Sequence, residues 1–231
     1  MKNTLIIFLV INCFGVFAQS EKDSILLLNG KSIRGDITDL TYVDDDSVLV
    51  YTYANKKGKV LANSIELQRV FSYTKGGISR TVYTPNEFMG DYLTVKETKE
   101  VTIGSYDARH TFKPHVPLWT SFALGLGASL FDTYLTKKAA SDSSLVAPKE
   151  PGFFKGSPSV FPFLVPVVLS VSWSFPSFRL KEKKMLHKNY LYNENYYRGY
   201  HRIAKQRRML GALFGGLAGV ATGLITYYIV Q

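Results

Sequence analysis

The sequence predicts an α+β membrane protein: a small antiparallel β module, either a curled sheet or a barrel, followed by transmembrane helices with small-residue packing faces. Three observations predict it. The chain ends in MLGALFGGLAGVATGLITYYIVQ, residues 209–231, in which Gly211, Gly215, Gly219 and Gly223 recur every four residues and no charge interrupts the run. In water each helical glycine costs about 1 kcal/mol relative to alanine. In a bilayer the backbone must satisfy itself, so the helix stays formed, and stacked glycines let a second helix approach closely. Residues 22–83 alternate apolar and polar side chains with turn signals between the runs, the period of half-buried strands. The chain also opens on MKNTLIIFLVINCFGVFAQS, one lysine followed by a short apolar run and small residues, which reads as a signal peptide cleaved after Ala18.

Taken in order, residues 1–18 are the signal peptide. They hold Cys13, the one cysteine of the chain, so the mature protein has neither a disulfide nor a cysteine nucleophile nor a thiolate metal site. Residues 19–83 are the β module. Ser24–Leu28 leads into Asn29-Gly30, a two-residue hairpin signal; Ile33, Gly35 and Ile37 alternate with polar residues. Val48–Tyr53, Val60–Tyr73 and Ser79–Tyr83 complete five expected strands, closed on themselves so that their edges are protected. Asp44-Asp45-Asp46 lacks the glycine and distal glutamate of a calcium loop and reads as a solvated turn.

Residues 84–115 form a helical connector. Thr84 with Glu87, and Thr94 with Glu97, have the spacing of a capping box, with Gly90 as a stop and Gly104 as a kink or end. His110 and His115 with Asp107 match no zinc spacing, and Pro114 breaks any helix that would align them, so no metal site is expected. Residues 116–135 form a transmembrane helix with Trp119 at its entrance and Ser121, Gly125 and Ser129 on a small-residue face matching that of the final helix. Asp132 is its single charge and, three residues from the end, is expected at the headgroup level beside Lys137. Residues 136–157 read as a loop, and 158–178 as an apolar segment bent by Pro158, Pro162 and Pro166, re-entrant or transmembrane.

The formal net charge of +10 is concentrated in residues 179–208, which carry +8, while residues 19–115 balance to zero. That segment, rich in tyrosine, directly precedes the glycine-zipper transmembrane helix 209–231, so it faces anionic lipid headgroups rather than nucleic acid. The headgroup-facing side chains are Lys183, Lys184, Lys188, Arg202, Lys205, Arg207 and Arg208. A cleaved signal puts the N-terminal module outside the cytoplasm, and the first span then brings Lys137-Lys138 inside. For the +8 segment to stay inside as well, residues 158–178 must not cross and the final helix must run outward.

The ending NYYRGYHRIAKQRRMLGALFGGLAGVATG resembles that of uncharacterised signal-peptide-bearing envelope proteins of Bacteroidota-type bacteria. Asn29-Gly30, Ile33, Gly35 and Ile37 match their "NG-x-x-I-x-G-x-I" hairpin, Asp107-Ala108-Arg109 their "D-A-(R/K)" element, and Gly199-Tyr200, Lys205, Gly215-Gly216 and Gly219 their close. The resemblance implies an envelope location and no activity.

No Ser/His/Asp set, carboxylate pair or phosphate loop stands out, so the sequence predicts a non-enzymatic protein without cofactors. It is expected to be a membrane-anchored structural or interaction protein that presents the β module outside the cytoplasm, on the bacterial inner membrane, with the bilayer and either further copies of itself or other envelope proteins as partners. The alternative is an oligomeric channel or transporter component assembled through the glycine-zipper helices.

Overall fold

The computed structural model describes residues 23–43, 46–55, 57–141, 160–176, 180 and 182–230, so the signal peptide, Asp44-Asp45 and most of the 136–157 loop lie outside it. The chain divides into two compact units, residues 1–106 and 107–231.

The first unit is the β module, and it has seven strands rather than five. They are β1 (Ser24–Leu27), β2 (Ser32–Arg34), β3 (Asp36–Val43), β4 (Asp46–Ala54), β5 (Val60–Glu66), β6 (Val70–Lys75) and β7 (Ile78–Thr81). The expected run through Ile37 divides at Gly35, where a Cβ would strike the Thr52 carbonyl. The expected strand 60–73 divides at a 3₁₀ turn, Leu67–Arg69. Each break lets the chain leave one sheet and join another. Two antiparallel sheets result, ordered β2-β1-β6-β7 and β3-β4-β5. Neither is curled or closed, which corrects the closed sheet expected from the sequence: strands that change sheets at a break leave free edges.

The hairpin at Asn29-Gly30 forms as expected. Gly30 is left-handed at φ 76°, and the Asn29 side chain accepts from the Lys31 N–H. Between the sheets lie Ile25, Leu27, Ile37, Leu49, Tyr51 and Val70, all at most 5% exposed. Each such side chain contributes about 1.5–3 kcal/mol on burial, the ordinary basis of a water-soluble core.

Helix α1 (Val95–Thr111) opens with the expected capping box. The Glu97 carboxylate accepts from the Thr94 N–H at 2.9 Å while the Thr94 hydroxyl accepts from the Glu97 N–H at 3.3 Å. Those bonds, the one from the Thr94 backbone first, hold the Glu97 carboxyl below its ordinary range. At the other expected box, Asn86 caps the short turn instead of Thr84, accepting from the Phe88 N–H, and Gly90 ends it at φ 81°. Gly104 neither kinks nor ends α1, which continues to Thr111.

The second unit is built on α2 (His115–Ser141), α3 (Phe161–Ser172) and α4 (Glu194–Val230). Helix α2 outruns its expected end by six residues, from Leu135 to Ser141. Helix α4 includes the second half of the basic segment, so residues 194–208 and the glycine-rich run form one rod of about 56 Å. Asn193 caps it, accepting from the Tyr196 N–H at 2.9 Å.

Candidate functional site

The glycines of α4 are contact points, and each has an identifiable partner. A Cβ on Gly215 would strike the Leu118 carbonyl, one on Gly219 the Phe122 carbonyl, and one on Gly125 the Gly216 carbonyl. A Cβ on Gly211 would lie 3.0 Å from the Pro114 ring and one on Gly223 2.7 Å from the Ser129 side chain. Backbone thus meets backbone, an approach that only glycine permits and that carries dispersion and Cα–H···O contacts along its length. Gly216 faces a second helix, with Pro166 of α3 at 2.9 Å from where its Cβ would be. The sequence left open whether the matching faces meet within one chain or between chains. They meet within one chain.

The order of these contacts fixes direction. Pro114, Leu118, Phe122 and Ser129 meet residues 211, 215, 219 and 223 in ascending order, so α2 and α4 run parallel. Helix α3 runs the opposite way, because Pro166 meets Gly216 whereas Ser170, further along, donates to the Met209 carbonyl at 3.1 Å. Pro176, beyond the end of α3, accepts from Arg208 Nη1 at 2.9 Å. The expectation that the final helix runs opposite to the first is therefore corrected: within the bundle the chain runs along α2, back along α3 and forward again along α4, and residues 107–114 lie beside residues 196–211. Charge counting missed this because it placed the +8 segment without the contacts that hold it.

Those contacts centre on Asp107, a carboxylate with no solvent exposure. Its Oδ2 accepts from the N–H groups of Leu186 and His187, at 3.1 and 3.0 Å, and from the Tyr196 hydroxyl at 2.6 Å. Its Oδ1 lies 2.7 Å from His187 Nδ1. Four hydrogen-bond contacts to one buried carboxyl group meet the condition for burying it. Burial first, and then the hydrogen bond and charge of Asp107, hold the Tyr196 phenol well above its ordinary pKa. The Tyr196 ring stacks on Tyr190 at 5.8 Å and 1°.

One turn further on, the Tyr200 and Thr111 hydroxyls share a 3.0 Å bond, and Thr111 also donates to the Asp107 carbonyl. Arg207 Nη1 then donates to the Phe112 carbonyl at 2.8 Å. Nearby, burial first and then the charges of Arg207 and Arg202 lower the pKa of Arg109. His187 was not singled out by the sequence, because its partner lies eighty residues away with no motif between them.

Of the expected headgroup residues, Lys183, Lys184, Lys188, Arg202 and Lys205 are exposed. Arg207 is half-buried on the Phe112 carbonyl, and Arg208, 7% exposed, is a structural donor to Pro176. Asp132 is 1% exposed, enclosed by the bundle. Because α2 continues to Ser141, Asp132 stands more than two turns from the helix end, on the same inward face as Ser129. Asp107 is committed to the bonds described and is not joined with His110 and His115; among the described residues no three His, Cys, Asp or Glu side chains gather around a metal position.

Side chains in the bundle are sorted by size more than by polarity. Ser121, Ser129, Asp132, Ala212 and the facing glycines are buried, while Trp119, Phe131, Val168, Phe214 and Ile229 are each more than half exposed. Among the described residues one helix is both long and apolar enough to cross a membrane, α4 within Glu194–Thr226. Helix α2 has the length without that apolarity. Comparison with family models, with curated proteins and with solved structures gives no match.

Proposed function

We propose that the protein is a non-enzymatic, membrane-anchored interaction protein, whose bundle α2–α4 sits in the bilayer and whose β module is presented on one side of it. The observation that carries this reading is the sorting of the bundle. Trp119, Phe131, Phe214 and Ile229 point outward while Ser121, Ser129 and the facing glycines lie inward, as expected where lipid is the solvent and packing rather than hydrophobic burial joins helices. In water, so much contiguous apolar surface would drive association.

Helix α3, at about 18 Å, is too short to cross a hydrocarbon core of about 30 Å by itself, so it acts as the bent return limb packed on α4. Because α2 and α4 enter from the same side, the exposed lysines near the start of α4 share that side with the chain that precedes α2. There they meet anionic headgroups, each contributing on the order of 1 kcal/mol. The signal-peptide reading makes that side the periplasmic face of the inner membrane. The glycine faces are used up inside one chain, which favours a monomeric anchor over the channel alternative.

The test is compartment labelling of single-cysteine variants in cells whose outer membrane has been permeabilised. Ala62→Cys and Asn189→Cys should both react with an impermeant maleimide, Ser141→Cys should not, and the protein should resist carbonate extraction. Release by carbonate would overturn the anchor; labelling of Ala62→Cys without Asn189→Cys would overturn the shared side.

A further inference from the structure

The β module carries an apolar cleft of about 370 Å³ at the corner where its two sheets stay open. Ile37 and Leu49, both nearly buried, form its floor; Leu40 on β3 and Ile78 on β7 form walls that are 42% and 64% exposed. Lys75 and Arg80 stand on the same sheet face as Ile78, since Lys75 pairs across the ladder with Ile78 and Tyr73 with Arg80. The two strands that bound the cleft, β3 and β7, are the terminal strands of their sheets.

Hydrogen bonds link the two sheets beside the cleft. Asp23 accepts from the Ile37 and Gly76 N–H groups, and Lys75 donates to the Thr38 carbonyl at 3.2 Å. Another concavity of the module, about 300 Å³, is lined by Leu67, Val70, Val82 and Tyr83 together with Glu66 and Asp91, so it offers acidic side chains where the first offers cations.

We infer that this cleft binds an extended polypeptide segment bearing acidic residues, which adds as a strand to β7 and places alternate apolar side chains over Ile37 and Leu49. Strand addition satisfies a free edge with main-chain bonds and takes its specificity from pockets for every second side chain. Each of those needs is present: a free edge, a flanking apolar floor, and two cations that select an acidic partner. Four residues added along β7 would cover about 13 Å. Arg80 on an exposed edge also repels a second copy of the same edge, which disfavours self-pairing and leaves the site to an acidic strand.

The inference rests on reading the module as an interaction element, but its test is separate from that of the anchor. The full-length protein in detergent would be screened against a phage-displayed library of random decapeptides. Enriched sequences should alternate apolar residues with at least one acid, bind in the micromolar range, and slow amide exchange at residues 78–81. Arg80→Glu and Ile78→Asp, both at exposed positions, should weaken binding at least tenfold with an unchanged circular dichroism spectrum. No enrichment, protection elsewhere, or undiminished binding by Arg80→Glu would overturn the inference. So would protection of residues 78–81 by dodecanoate with no peptide enriched, which would assign the cleft to a small amphiphile. If the protein stays carbonate-resistant in any of these cases, the strand inference fails alone and the anchor stands.

Discussion

In the β module Ile25, Leu49 and Val70 are each 1% exposed, whereas in the helical bundle Trp119, Val168 and Phe214 are each more than 60% exposed. The two regions obey opposite sorting rules. In the module the free energy of burial comes from removing large aliphatic side chains from water, at about 25 cal/mol per Å². In the bundle the buried positions include Gly125, Gly215, Gly219, Ser121 and Ser129, which have little apolar area to hide, with Val220, Ile203, Tyr196 and Tyr200 as larger buried side chains on α4. What holds the helices is closeness of approach, and a residue such as Gly215 does for α2 and α4 what Leu49 does for the sheets. The contrast teaches that apolar content alone does not identify a core.

The comparison is broken most severely by enlarging an inward glycine. Gly215→Leu or Gly219→Leu should abolish the folded bundle, because even a Cβ collides with the carbonyl of Leu118 or Phe122. Gly127→Leu should leave protease resistance and elution volume unchanged, since nothing lies within 4 Å of the Cβ it would add. If the two classes of variant behave alike, close approach does not hold the bundle.

Removing the buried acid comes next. Asp107→Ala leaves the Leu186 and His187 N–H groups and the Tyr196 hydroxyl without their acceptor, at a cost of about 3–5 kcal/mol. It should expose residues 182–190 to protease before the rest of the chain unfolds. Phe substituted for Tyr196 removes one of the same bonds and should cost about 1.5–3 kcal/mol, measured by thermal unfolding in detergent.

A smaller effect of opposite sign sharpens the picture at α1. Among the described residues the buried Thr98 and Thr102 hydroxyls have no hydrogen-bond partner. Replacing either by valine keeps the shape, removes an unsatisfied polar group, and should leave stability unchanged or raise it by up to about 1 kcal/mol. A loss of more than about 1 kcal/mol would show that the hydroxyls have partners after all.

The smallest effect is the pH dependence of the α1 cap. The Glu97 carboxyl is held below its ordinary range, so its contribution is fully present above the unfolded carboxyl range and fades as pH falls through the folded value. Glu97→Gln should therefore unfold at a slightly lower temperature than the parent at neutral pH. The difference should vanish in acid, and one that grows on acidification would contradict the sign.

Local features of the fold were legible because they depend on neighbours in sequence. Asn29-Gly30 specified its hairpin, Thr94 and Glu97 their capping box, and the four-residue glycine period the packing face of α4. Each needs one short stretch and one energetic preference. The open sheets were not legible, since alternation over residues 60–73 gives no sign that Leu67–Arg69 turns the chain from one sheet into the other. Nor was the end of α2, and with it the burial of Asp132.

The sequence by itself therefore determined which stretch is strand-rich, which helices carry flat faces, and where the positive charge lies. Only the tertiary structure decided that α2 and α4 run parallel, because direction follows from which glycine meets which carbonyl. Only the fold, too, brings Asp107 within 2.7 Å of His187 and 2.6 Å of Tyr196. Such a pairing leaves no periodic trace in the chain: its free energy comes from removing water around one carboxylate, and that requires all its partners to arrive together.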